Sequence, residues 1–242
     1  MNHTECNQLQ PNCQIIHVRA YNPSYYSYVI SKREWFDVLT GLGLLESNDW
    51  DLTQSIRGFK LMSIILRKYF RFNPKLESEV NSMLKAYNKE SLIGIHLRMS
   101  DSSSDFKEAY ISEHFIFEED ALSVLRCKYI NHSHNPVLYV ASDSSYIKKE
   151  IAKQSNVTVI TSNMKSLHTG HNMEQNQRNE ALRAVVLDII ALSKCKTLIV
   201  TKGSSLSYIA AAFQGSVPYY ISRNTSCFFP KELTTLVPRA WS

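Results

Sequence analysis

No apolar run in this chain approaches the roughly 18 residues that a membrane-crossing helix requires. The longer apolar stretches, such as Leu61 to Leu66 and Ile209 to Phe213, stop far short. The opening residues, Met1-Asn2-His3-Thr4-Glu5, lack a basic stretch followed by an apolar core, so no secretory signal is legible there. The expectation is a soluble chain, or a piece of a longer one whose anchor lies upstream. Cysteines are few. Cys6, Cys13, Cys127, Cys195 and Cys227 show no paired spacing of the zinc-binding kind, and their odd number leaves at least one thiol free; a Cys6 to Cys13 disulfide is possible. There is no internal repeat and no low-complexity linker. Charge of one sign is not concentrated either. The formal +5 is spread out, with Arg67-Lys68 and Lys148-Lys149 set among apolar residues, which excludes a nucleic-acid footprint and fits attraction to a phosphorylated small molecule. Four N-x-S/T sequons, at Asn2, Asn131, Asn156 and Asn224, barely exceed the about three that this composition gives by chance.

What is present is a globular composition, 44% apolar over 242 residues, long enough for one large domain or two small ones. Residues 1 to about 50 are rich in Asn, Gln and Tyr, and their periodicity is too weak to assign elements. From Asp51 the pattern turns helical: Leu52, Ile56, Phe59, Met62, Ile65, Leu66 and Tyr69 paint one stripe. Asn73-Pro74 then supplies a cap and a first-turn proline for a second helix that buries Leu76, Val80, Met83, Leu84 and Tyr87. After Glu90, near-continuous apolar runs at 92–97, 137–141, 157–160, 197–201 and 217–221 alternate with helical runs at about 117–130, 144–154, 175–194 and 204–213. That alternation is the mark of an α/β fold with a parallel sheet buried on both faces. The boundary between a partial N-terminal region, 1–90, and a Rossmann-like region, 91–242, falls near residue 90.

The first strand ends in His96-Leu97-Arg98-Met99-Ser100-Asp101, an imidazole, a guanidinium and a carboxylate at the place where an open α/β sheet builds its ligand crevice. Arg98 presents a fork of donors matched to phosphate and stays charged at any relevant pH; the alternative is a surface Arg that merely closes the strand. A later strand runs into Thr201-Lys202-Gly203-Ser204-Ser205 and then an Ala-rich helix. Gly203 permits a tight turn, and the helix start with its hydroxyls suits an anion. The segment has neither the Gly-Lys-Ser/Thr order of a P-loop nor the spaced glycines of a dinucleotide fingerprint, and Ser204 and Ser205 are equally good helix caps. Asp188 interrupts an apolar helix and needs a partner, be it solvent, a ligand or the Gly-Ser-Ser turn. Asp143, after the strand 137–141, reads first as the N-cap of the next helix.

In order, His-x-Arg-x-Ser-Asp after one strand, Ser-Asp-Ser after another, then Asp-x4-Ser before a strand and Gly-Ser-Ser, the chain resembles the donor domain of GDP-fucose-dependent fucosyltransferases. This is the superfamily of α1,2, α1,6 and protein O-fucosyltransferases, and the likeness covers about residues 64 to 221, including Lys68 to Pro74. It implies a GT-B fold whose donor domain is a Rossmann-like parallel sheet, here with a truncated or minimal N-terminal half. It implies inverting, metal-independent transfer of fucose from GDP-fucose to a glycan or glycoprotein, with no cofactor; the expectation is that acid-rich clusters of the magnesium-holding kind, such as an Asp-x-Asp, are absent. By the same resemblance Arg98 contacts the diphosphate and stabilises its charge, while His96, Asp143, Asp188, Gly203, Ser204 and Ser205 line the donor site. The base that takes the acceptor's proton falls among Asp101, Glu108 and, ranked below them, Asp105. A secretory-pathway lumen is implied too, with the cytoplasm as alternative because no signal is legible. Two other readings remain open: a transferase using another nucleotide sugar, and an inactive nucleotide- or glycan-binding relative.

Overall fold

The computed structural model describes residues 32–51, 54–99, 116–127, 130, 135–162, 175–222 and 225–228. Among these residues three helices come first, α1 (Arg33–Gly41), α2 (Gln54–Tyr69) and α3 (Pro74–Leu84). Strands and helices then alternate: β1 (Leu92–Leu97), α4 (Glu118–Ser123), β2 (Val137–Ser142), α5 (Ser145–Gln154), β3 (Thr158–Ile160), α6 (Gln175–Lys194), β4 (Thr197–Thr201), α7 (Ser205–Gln214) and β5 (Tyr219–Ser222), followed by β6 (Thr225–Phe228). The sheet order is β3-β2-β1-β4-β5-β6, with β1 to β5 parallel and β6 antiparallel to β5. This is the doubly wound, Rossmann-like order.

Both sheet faces are buried, and the strand residues alternate between two cores. Leu92, Val137, Tyr139, Ala141, Leu198 and Val200 join one core with Leu187, Ile190 and Ala211 of the helices. Ile93, Ile95, Leu97, Leu138, Val140 and Ile199 join the other, with Val124, Ile147 and Ile151. Phe59 of α2 and Val80 and Leu84 of α3 belong to the first core, so these two helices pack onto the sheet. The Ser63 hydroxyl donates to the Ala212 carbonyl at 2.6 Å, tying α2 to α7.

Local chemistry explains the element ends. Asn73 caps α3 by accepting from the Lys75 N–H at 2.9 Å, with Pro74 in the first turn, as the sequence predicts. The helix expected over 117–130 is shorter. α4 ends at Ser123, one 3-10 turn covers Val124–Arg126, and Cys127 is extended and bridges to Cys227 beside the sheet's far edge. β5 begins at Tyr219 rather than Val217, since Pro218 has no N–H to donate to a ladder. α1 and β6 are elements that sequence periodicity does not reveal.

Gly94, in the middle of β1, is required by close packing: a Cβ there would lie 2.5 Å from a Leu198 methyl, 3.0 Å from Leu192 and 3.1 Å from Cys195. Leu192 and Leu198 are themselves buried. Gly94→Ala is therefore expected to destabilise the fold by about 1–3 kcal/mol through overpacking, read as a lower denaturation midpoint.

Candidate active site

β1, β2 and β3 step outward in one direction, and α6 then carries the chain back to place β4 on the other side of β1. The carboxyl ends of β1 and β4 thus flank the topological switch point, where a doubly wound sheet opens its ligand crevice. His96 and Arg98 end β1, and Thr201 to Ser205 follow β4, so the two sequence segments read as a phosphate site meet at that point.

Arg98 is held from both sides. Its backbone N–H donates to Thr201 Oγ1 at 2.9 Å, and its guanidinium lies 3.1 Å from Asp143 Oδ2, just past β2. Asp143 Oδ1 accepts the Met99 N–H at 2.9 Å. One carboxylate thereby orients the guanidinium and fastens the strand end that bears it. Burial pulls the Arg98 pKa down and Asp143 pushes it back up, and the group remains cationic. The N-cap reading of Asp143 is corrected here: Ser144 caps α5, its hydroxyl accepting the Ile147 N–H at 3.2 Å, which leaves Asp143 for Arg98.

Asp143→Ala would leave the buried Met99 N–H without its acceptor and remove the carboxylate beside Arg98. A stability loss of about 2 kcal/mol is expected, and Asp143→Asn, which keeps an acceptor oxygen, is expected to lose less. Paired chemical denaturation curves measure both.

His96 is buried on the α7 side of β1, with Nδ1 2.6 Å from Ser207 Oγ. Burial, reinforced by the Arg98 charge, pushes its pKa down to about 3. The ring is therefore neutral across the working pH range, a hydrogen-bonding wall and not a second cation. Ser207 and Thr201 are site residues that strand and motif reading does not pick out. Their signal is faint: Ser207 is a hydroxyl on an otherwise Ala-rich helix, three residues after Ser204, hence on the same face.

Gly203 turns the chain from β4 into α7 with φ 88°, in the left-handed region that glycine adopts without penalty. Ser204 occupies the N-cap position with φ −80° and ψ 123°, yet its hydroxyl makes no capping bond. The first N–H groups of α7 have no carbonyl within the helix to accept them, and the helix dipole favours an anion there. Ser205 opens the helix and is exposed. Arg98 after β1 and the Gly203-Ser204-Ser205 turn after β4 thus share the rim at the switch point, the one with a guanidinium and the other with a helix start.

Asp188 lies apart from that rim. It accepts a 2.6 Å hydrogen bond from the Tyr139 hydroxyl and a further one from Ser162, and it feels Lys148 at longer range. Burial raises its pKa, and those hydroxyls and Lys148 oppose the rise. Among the described residues, the partner this mid-helix acid needed is thus the protein itself, on the β2–β3 side. Asp101, Asp105 and Glu108 lie outside the described residues. Both stems of their segment are fixed, however: Ile116 donates its N–H to the Arg98 carbonyl at 3.2 Å, and Met99 and Ile116 form a bridge. The segment leaves and re-enters at the edge that carries Arg98.

The expected absence of an Asp-x-Asp is corrected: one occurs at Asp49-Trp50-Asp51, away from the strand ends. Asp49 accepts the Glu46 N–H and the Lys60 ammonium, each at 2.8 Å, and so braces the turn before α2.

No protein-family model and no curated protein sequence matches the chain. Solved structures are similar to it in part. They include the NodZ alpha-1,6-fucosyltransferase co-crystallized with GDP, at 17% identity over 62% of this chain and 44% of that one, with a TM-score of 0.42. They also include an Arabidopsis thaliana FUT1 variant in complex with GDP, at 14% identity over 74% and 43%, with a TM-score of 0.48. POFUT1 in complex with GDP-fucose is 14% identical over 70% and 49%, with a TM-score of 0.42. The chain spans less than half the length of each of these.

Proposed function

We propose that this chain carries the donor site of a GDP-fucose-dependent glycosyltransferase, which transfers fucose with inversion, and without a metal, to a hydroxyl of a glycan or glycoprotein. The observation that carries the reading is Arg98, oriented by Asp143 at the switch point and accompanied by the start of α7. The ordered motifs that contain these residues support GDP-fucose as the donor. The two-part organisation belongs to the proposal: residues 1–90 as a partial acceptor side with linking helices, of which α2 and α3 pack onto the donor sheet, and 91–242 as the GDP-sugar domain of a GT-B arrangement.

The chemistry follows from where charge develops. As the bond from fucose C1 to the β-phosphate oxygen breaks, the sugar gains cationic character and the departing GDP takes the electron pair. Arg98, the α7 amides and the Ser204 and Ser205 hydroxyls meet more negative charge in the transition state than in the ground state, so they lower the barrier. Neutral His96 lines the same pocket without adding charge. The attacking hydroxyl gives its proton to a carboxylate, for which Asp101 and Glu108 are the candidates, on a segment whose stems adjoin Arg98. Gly203 acts on the donor by the turn that aims α7, and Asp188, a donor-site residue by the motif resemblance, is engaged by the Tyr139 hydroxyl behind the sheet.

The test is consumption of GDP-fucose in the presence of EDTA with a panel of glycan and glycoprotein acceptors. Fucose transfer with GDP release is the expected result. Equal consumption of UDP-sugars would overturn the donor assignment, and binding without turnover on any acceptor would favour an inactive relative.

A further inference from the structure

Asn156-Val157-Thr158 is the sequon whose surroundings are visible. Asn156 lies in the bend between α5 and β3, and both it and Thr158 are exposed. The bend is held by Ser155, whose hydroxyl accepts the Val157 N–H at 3.2 Å, so the amide of Asn156 is presented on an ordered turn. β3 is the outermost strand of the sheet, with no further strand beside it among the described residues. Thr158 pairs in register with Val137 at the start of β2, whereas Asp143 follows the end of that strand. At about 3.3 Å per residue, Asn156 is on the order of 20 Å from the Arg98 edge, on the opposite rim. A large adduct there would face solvent and leave the crevice open.

A second observation bears on the compartment. Cys127, after α4, is bridged to Cys227 on β6, 100 residues away in sequence. Bridges of this structural kind form and persist in oxidising compartments, where the enzymes that glycosylate sequons also work. Sequon counting alone gives no such indication, because composition accounts for the number; the presentation of this one and the bridge are separate from that count.

We propose that Asn156 is an N-glycosylation acceptor, occupied when the chain passes through an oxidising lumen. In the transfer, Nδ2 of Asn156 bonds to C1 of an oligosaccharide carried on a polyprenyl diphosphate. The C1–O bond to the diphosphate breaks, the lipid diphosphate leaves with the electron pair, and the amide proton passes to a base of the host transferase. The inference does not depend on the donor-site reading.

The experiment directs the full chain into the lumen of a eukaryotic secretory cell behind a cleavable leader and recovers the lumenal pool. Trypsin yields the peptide 154–165, which contains this sequon and no other. Amidase release in heavy-oxygen water should convert the glycosylated Asn156 to labelled aspartate in most molecules. Thr158→Ala should abolish the label while keeping the asparagine, and Asn156→Gln should remove one glycan from the intact mass. Because transfer precedes folding, a variant that folds poorly still reports occupancy. Recovery of this peptide unmodified, with or without glycans at Asn131 or Asn224, would overturn the proposal.

Discussion

Replacing Arg98 by alanine is expected to lower the rate of fucose transfer by about two to three orders of magnitude, the usual consequence of removing one donor aimed at developing charge. The effect should be larger on turnover than on GDP affinity, because the α7 amides and the Ser204 and Ser205 hydroxyls still hold the ground-state diphosphate. Arg98→Lys keeps the charge but loses the fork, and a point charge cannot take two phosphate oxygens while also meeting Asp143. It should therefore recover GDP binding better than it recovers rate. Steady-state kinetics with GDP-fucose and direct GDP titration separate the two. The opposite split, normal turnover with poor binding, would make Arg98 a tether and not a catalyst.

Acid should destabilise the fold through His96. Its pKa falls from 6.5 to about 3 in the folded protein. Between those values the unfolded chain takes up a proton that the folded chain refuses, so the unfolded state binds more protons and stability declines as pH falls. The contribution is intact above pH 6.5 and is lost progressively down to about pH 3. At about 1.4 kcal/mol per pH unit, the loss reaches roughly 4–5 kcal/mol. Carboxylates titrate in the lower part of the same window, so the comparison needs His96→Gln, which lacks the titrating ring. Denaturant midpoints of wild type and variant should converge as pH drops from 7 to 4. Parallel curves would show that the imidazole is protonated in place. The same neutrality predicts that donor affinity has no inflection near pH 6.5.

The strands were legible because burial on both faces makes their residues nearly all apolar, and 92–97 needed no further information. Pro218 displaced one strand start by a rule that the sequence itself contains. The end of α4 was not legible, since apolar residues recur past Ser123 at helical spacing, and the bridge of Cys127 to a cysteine 100 residues further on has no local signal. β6 is four residues long, with too few positions for a period to appear. At the site, residue types at strand ends identified His96, Arg98 and the Gly-Ser-Ser turn. What they do with one another required neighbours from other strands. Asp143 looks like a cap until Ser144 takes that task and β1 is laid beside β2. Ser207 and Thr201 acquire their meaning only once α7 and β4 pack against β1. Asp188 signalled that it needed a partner, and its sequence could not name Tyr139.

Calorimetric titration of the purified chain with GDP, GDP-fucose and UDP in EDTA, repeated on Arg98→Ala, addresses the donor site itself. Binding of GDP and GDP-fucose but not UDP, weakened in the variant, is the predicted result. Equal binding of UDP, or binding that ignores the loss of Arg98, would contradict a guanine-nucleotide site at the β1–β4 switch point.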